Sequence, residues 1–80
     1  MATNAHRDTP SLIRALRERN GLTQEKLAAR LGVSFSTINR WEKGRRRPSP
    51  LALRKLEEFV KDMRAGGVDL LSQHFPEGMS

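Results

Sequence analysis

The run from Leu22 to Gly44 constrains this chain more than any other. It reads as two short amphipathic helices joined by a tight turn. Thr23 offers a side-chain oxygen to the open amides of a helix start. Leu27, Ala28 and Leu31 then recur at the spacing of one helical face. Gly32 stops that run, since glycine accepts the left-handed backbone such a turn needs. Ser34 caps the second helix, and Lys43-Gly44 closes it with a cation near the negative helix end. This second helix carries one apolar face and one polar, basic face.

The flanking segments follow the same grammar. Thr9-Pro10 looks like a cap followed by proline in the first turn, Leu12, Ile13 and Leu16 form a stripe, and Asn20-Gly21 supplies the stop. Ser49-Pro50 repeats the start, and Ala52, Leu53, Leu56, Phe59, Val60 and Met63 line one face of a long fourth helix. That helix is expected to run roughly 24 Å to about residue 64 or 65, before Gly66-Gly67 breaks it. Glu57 and Lys61 make a favourable i,i+4 pair on its exposed side. The expected fold class is all-α, a four- to five-helix bundle with helices at about 10–20, 24–31, 35–43 and 50–65. The expected core is Leu12, Ile13, Leu16, Leu27, Leu31, Ile38, Trp41, Leu53, Leu56, Phe59 and Val60. Residues 1–8 read as a disordered arm, and 9–65 as one domain. In the tail, 66–80, Val68, Leu71 and Phe75 have the spacing of a short fifth helix. A loose segment or a subunit contact fits that tail as well.

Several function classes fall away. Without cysteine, neither disulfides nor a thiolate metal site is available. His6 and His74 lie near opposite ends with no ligand spacing between them. No metal or cofactor is expected. No apolar run approaches the roughly 20 residues of a membrane span, and Met1–Arg7 lacks the apolar centre of a signal peptide. A cytoplasmic protein with no membrane contact is the expectation. Asp69, Ser72 and His74 contain the residue types of a hydrolytic triad, but crowded into a glycine-flanked tail they have no scaffold for a pocket. No enzyme is expected.

The charge points elsewhere. Between Arg40 and Lys55 stand seven cations against Glu42 alone, a surplus equal to the net charge of +6 for the whole chain. A patch that concentrated suits a polyanion better than solubility requires. On a wheel of about 100° per residue, Ser36, Asn39, Arg40 and Lys43 share a narrow outward sector opposite Ile38 and Trp41. Arginine can grip guanine edges or phosphate, asparagine can pair with adenine, and serine can bond several bases. The helix is therefore expected to enter the major groove of double-stranded DNA, with Ser34, Phe35, Ser36, Asn39 and Arg40 at the bases. Gln24, Lys43, Arg45, Arg46 and Arg47 are expected at phosphates, contacts that position without specifying. Solvated surface is the alternative for any one of these residues. For Arg45 to Arg47 the further alternative is a localisation signal, and for Trp41 it is a stacking platform rather than a core anchor. Two readings of Phe35 stand side by side: a half-buried hydrophobe leaning on the preceding helix, and an apolar contact to a thymine methyl. Arg17 and Glu42 each half-face the core and are expected to supply one another as an ion pair; the alternative is two separate surface charges.

These residues carry a resemblance. Gly21-Leu22-Thr23-Gln24, Leu27-Ala28, Leu31-Gly32-Val33-Ser34, Ile38, Trp41-Glu42-Lys43-Gly44 and Pro48 together resemble the phage repressor and Cro type of helix-turn-helix, also called the xenobiotic-response-element regulator family. The resemblance covers about half the chain. It implies a lambda-repressor-like bundle, commonly of five helices. It also implies a backbone contact from Gln24, base edges read at Phe35, Ser36 and Arg40 with Ser34 and Asn39 adjacent, and a buried Arg17–Glu42 pair. Phenylalanine at 35 departs from the usual polar reader, and the long fourth helix departs from the family's short fourth and fifth. The implied function is a sequence-specific DNA-binding transcriptional regulator, acting as a homodimer on a two-fold site. The alternative is an antitoxin-type protein-binding module whose fourth helix or apolar tail holds a toxin partner and which also binds its own operator.

Overall fold

The first four helix starts in this chain are set by short polar side chains that accept backbone amides. The computed structural model describes residues 8–76. Among them are five helices: α1 (Thr9–Asn20), α2 (Gln24–Leu31), α3 (Phe35–Glu42), α4 (Pro50–Asp62) and α5 (Val68–His74). Thr23, Ser34 and Ser49 accept the amides of Lys26, Thr37 and Ala52, each at 3.1 Å. The first start differs from expectation. Asp8, not Thr9, caps α1, taking the Ser11 amide at 3.4 Å and the Ser11 hydroxyl at 2.7 Å. A carboxylate suits the positive helix end better than a hydroxyl does, and Thr9 becomes a buried helical residue. The rest of the expected arm, residues 1–7, lies outside the described residues.

The turn between α2 and α3 has the tightness the sequence implies. Gly32 sits at φ 73°, and the Val33 amide reaches back to the Ala28 carbonyl at 3.0 Å. A left-handed residue at this point satisfies the last open carbonyls of α2 and releases the chain sharply into α3. The α2·α3 and α1·α3 interfaces are the most extensive in the fold, so α3 is wedged against both preceding helices.

The core gathers Leu12, Ile13 and Leu16 from α1, Leu27, Ala28 and Leu31 from α2, Ile38 and Trp41 from α3, Ala52, Leu56 and Val60 from α4, and Leu70 and Phe75 from the tail. Two expected core residues are only half-buried: Leu53 and Phe59. Leu56 and Val60, one turn apart, occupy the centre of the α4 contact, which leaves Leu53 and Phe59 on its rims. The Phe59 ring is capped instead by the Arg30 guanidinium, 5.9 Å from its centroid.

The C-terminal third departs most from expectation. α4 ends at Asp62, not at 64 or 65, and a 3₁₀ turn over Arg64–Gly67 follows. The cause is a close approach. A Cβ on Gly67 would lie 2.5 Å from the Val60 carbonyl oxygen and 3.0 Å from Val60 Cγ1. The chain folds back on α4 at once, and Arg64 takes φ 57° to allow it. The expected Glu57–Lys61 pair is present at 3.4 Å.

α5 is rotated from the expected stripe. Leu70 and His74 face inward, whereas Val68 stays 53% exposed and Leu71 half-buried. Arg19 of α1 fixes that rotation by holding Asp69 at 2.7 and 2.9 Å while also donating to the Gly66 carbonyl at 3.0 Å. The hydrogen bond from Arg19 takes the Asp69 carboxyl from 3.8 down to about 2. A depressed carboxyl stabilises the fold above its ordinary value, and that contribution fades as pH falls toward the lowered one. The expected result is that α5 amides, corrected for intrinsic exchange, lose hydrogen-exchange protection from about pH 4 downward. Asp69→Asn should show the weaker protection already at neutral pH. Equal protection of wild type and variant at neutral pH would contradict the anchoring role.

Candidate nucleic-acid interface

α3 is positioned by what its inner face buries. Ile38 is fully buried and Trp41 is 3% exposed, which removes Trp41 as a platform for stacking bases. Ser36, Arg40 and Lys43 emerge on the opposite side. Phe35 is 50% exposed, so half of an apolar ring stands open at the first turn of the helix, which fits both readings of that residue. The Ser34 hydroxyl accepts the Thr37 amide and lies 3.1 Å from the Ser36 hydroxyl and 2.8 Å from that of Thr37.

Behind this face lies a polar network. Glu42, its side chain 8% exposed, receives Arg17 Nε at 3.1 Å and Arg17 Nη2 at 2.9 Å, with Arg17 itself 25% exposed. The Arg17 hydrogen bond outweighs burial and holds the Glu42 carboxyl below its ordinary value. The same pairing raises Arg17. Arg14 approaches Glu42 Oε2 at 3.5 Å. Sequence reasoning missed Arg14. Its i,i+3 spacing from Arg17 was the available signal, because it puts both guanidinium groups on one face of α1.

Two residues expected at DNA join this network. The Gln24 amide donates to Glu42 Oε1 at 2.8 Å, and the Asn39 amide donates to Gln24 Oε1 at 3.1 Å. Asn39 is accordingly half-buried rather than fully outward. It lies on the edge of the outward sector about 100° from Arg40, and that edge faces Gln24 across the α2·α3 boundary.

The cations flank the outward face. Thr37, Arg40, Trp41, Arg46, Arg47 and Ser49 line an open groove of about 310 Å³ between α3 and the loop that follows it. Thr37 was not among the expected site residues. Lys43 and Arg45 are exposed. A surface with three guanidinium groups around one concavity attracts anions and can hold phosphate bidentately.

Other chemistries find less. Among the described residues no group of three His, Cys, Asp or Glu side chains is placed to hold a metal, and no helix is long and apolar enough to cross a membrane. Asp69, one member of the triad-like trio, is engaged by Arg19.

A family model described as helix-turn-helix matches residues 13–61. The chain is similar, at 48% identity over 58 residues, to an uncharacterized HTH-type transcriptional regulator of Methanothermobacter thermautotrophicus. That match covers 66% of this chain and 84% of the relative. No solved structure matches it.

Proposed function

The chain belongs to the helix-turn-helix family of the xenobiotic-response-element type, a non-enzymatic family of DNA-binding regulators, and from that premise we propose that it reads a specific operator by laying α3 in the major groove. One observation carries the reading: on α3 the tryptophan is buried while the adjacent Arg40 projects from the same helix into a cation-lined groove. In this proposal Arg40 takes a base edge, most favourably guanine. Ser36 and Phe35 flank it, Phe35 through a thymine methyl. Arg46 and Arg47 hold phosphates, with Lys43 and Arg45 beside them, and Gln24 adds a backbone contact at the start of α2. Ser34 acts chiefly as the cap that fixes the α3 entry.

Selection of bound sequences from a random duplex pool tests this directly. A defined motif is expected, and a two-fold dimer would give half-sites about 34 Å apart or a multiple of that. Uniform recovery of all sequences would refute base reading. Arg40→Ala should reduce discrimination at one base step by about 5- to 150-fold, the equivalent of roughly 1–3 kcal/mol. An equal loss on every sequence would assign Arg40 to phosphate instead.

The antitoxin-type reading is less supported. It needs an apolar tail or fourth-helix face free to meet a partner, and of the tail Leu70 and Phe75 are spent on the chain's own core.

A further inference from the structure

Gln24 and Asn39 make a pairing that the regulator reading does not require. A glutamine amide can be turned over, exchanging its donor and acceptor ends. At Gln24 both ends are assigned. Oε1 accepts from Asn39 Nδ2 at 3.1 Å, and Nε2 donates to Glu42 Oε1 at 2.8 Å. Nε2 carries two hydrogens, and Glu42 takes one. Among the described residues no protein acceptor takes the other, and Gln24 is only half-buried at the start of α2. The turned amide would set Gln24 Oε1 against the Glu42 carboxylate, a repulsive contact, and would keep its bond to Asn39 only if that amide turned as well.

We propose that Asn39 is a positioning residue that locks the Gln24 amide with its donor directed to a DNA phosphate, and is not a base reader. This rests on the regulator reading and on a backbone contact from Gln24. Glu42 pulls the amide nitrogen from one side and Asn39 holds the amide oxygen from the other. Either alone leaves the side chain freer, because Glu42 is shared with Arg17 and Arg14. Pre-orientation spares Gln24 the loss of rotamer freedom when it meets phosphate. The residue beside Arg40 thereby acts on affinity rather than on sequence.

A double-mutant cycle tests this, with the full chain and its selected duplex. Gln24→Ala should weaken binding by about 10- to 150-fold, the worth of one hydrogen bond to a charged phosphate, and Asn39→Ala, which loosens that bond without removing it, by about 3- to 10-fold. The double variant should bind no more weakly than the worse single one. The set of selected sequences should not change, and neither should the slope of affinity against salt, because a neutral amide releases no counterion. Asn39→Ser serves as a milder second variant, and thermal midpoints taken in parallel report folding. A preference altered at one base step would make Asn39 a reader and overturn the proposal. Additive losses, or no loss from Asn39→Ala, would overturn it too. A wild-type chain that binds no duplex would fail the regulator reading itself, a result distinct from all of these.

Discussion

Glu42→Ala is expected to lower the thermal midpoint by roughly 12–24 °C. The variant leaves Arg17 behind, with its guanidinium still pressed against the α1·α3 contact and its partner gone. Removing one member of a buried pair costs about 3–5 kcal/mol. The lower end applies because Arg17 keeps a quarter of its side-chain surface in water. About 3 kcal/mol at 4–8 °C per kcal/mol, the range for a domain of this size, gives the stated shift. Glu42→Gln should fall between the variant and wild type, since an amide oxygen still accepts from Arg17. Glu42 is held below its ordinary pKa by the Arg17 hydrogen bond, so its contribution is complete above the ordinary carboxylate range. It is lost as pH falls through the lowered value. The gap between wild type and Glu42→Ala should therefore narrow in acid. Calorimetry or helical circular dichroism reads both effects. A shift below about 4 °C at neutral pH would place the pair among exposed salt bridges of little weight.

That pair shows which parts of the molecule pattern alone could reach. Helix class, the bounds of α2 and the inward Trp41 follow from local signals, because caps and apolar spacing act within one or two turns. The register of α5 does not. It depends on Gly67 nestling against Val60 and on Arg19 reaching Asp69, fifty positions further along the chain. Its seven residues are too few for periodicity to choose between stripes. The early end of α4 has the same origin. In the interface, Arg40 and Asn39 are adjacent polar residues about 100° apart on the wheel, at the two edges of one outward sector. What separates them is the neighbour each edge meets: Asn39, on the edge nearer Glu42, meets Gln24, whereas Arg40, on the other edge, lines the groove beside the loop. Which neighbouring helix or loop meets each edge is a tertiary fact, and a wheel has no neighbours.

The loop arginines carry the second large effect, one of a different kind. If Arg45, Arg46 and Arg47 each neutralise a phosphate, replacing all three with alanine removes three released counterions. The slope of log affinity against log salt should become shallower by about 2.7. Extrapolated from a common value near 1 M, that slope change corresponds to roughly 100-fold weaker binding at about 0.15 M salt. The loss should be the same on selected and on random duplexes, so their affinity ratio is preserved. Arg40→Ala should do the reverse, collapsing the ratio with a slope change of at most about one. The pair of experiments separates two roles within one groove, since Arg40, Arg46 and Arg47 all line it and charge alone does not distinguish them. Titrations of both variants on both duplexes, across a range of salt, give the answer. A triple variant whose discrimination drops along with its affinity would mean that the loop reaches base edges, most simply in the minor groove. An unchanged slope would remove the loop from the interface altogether.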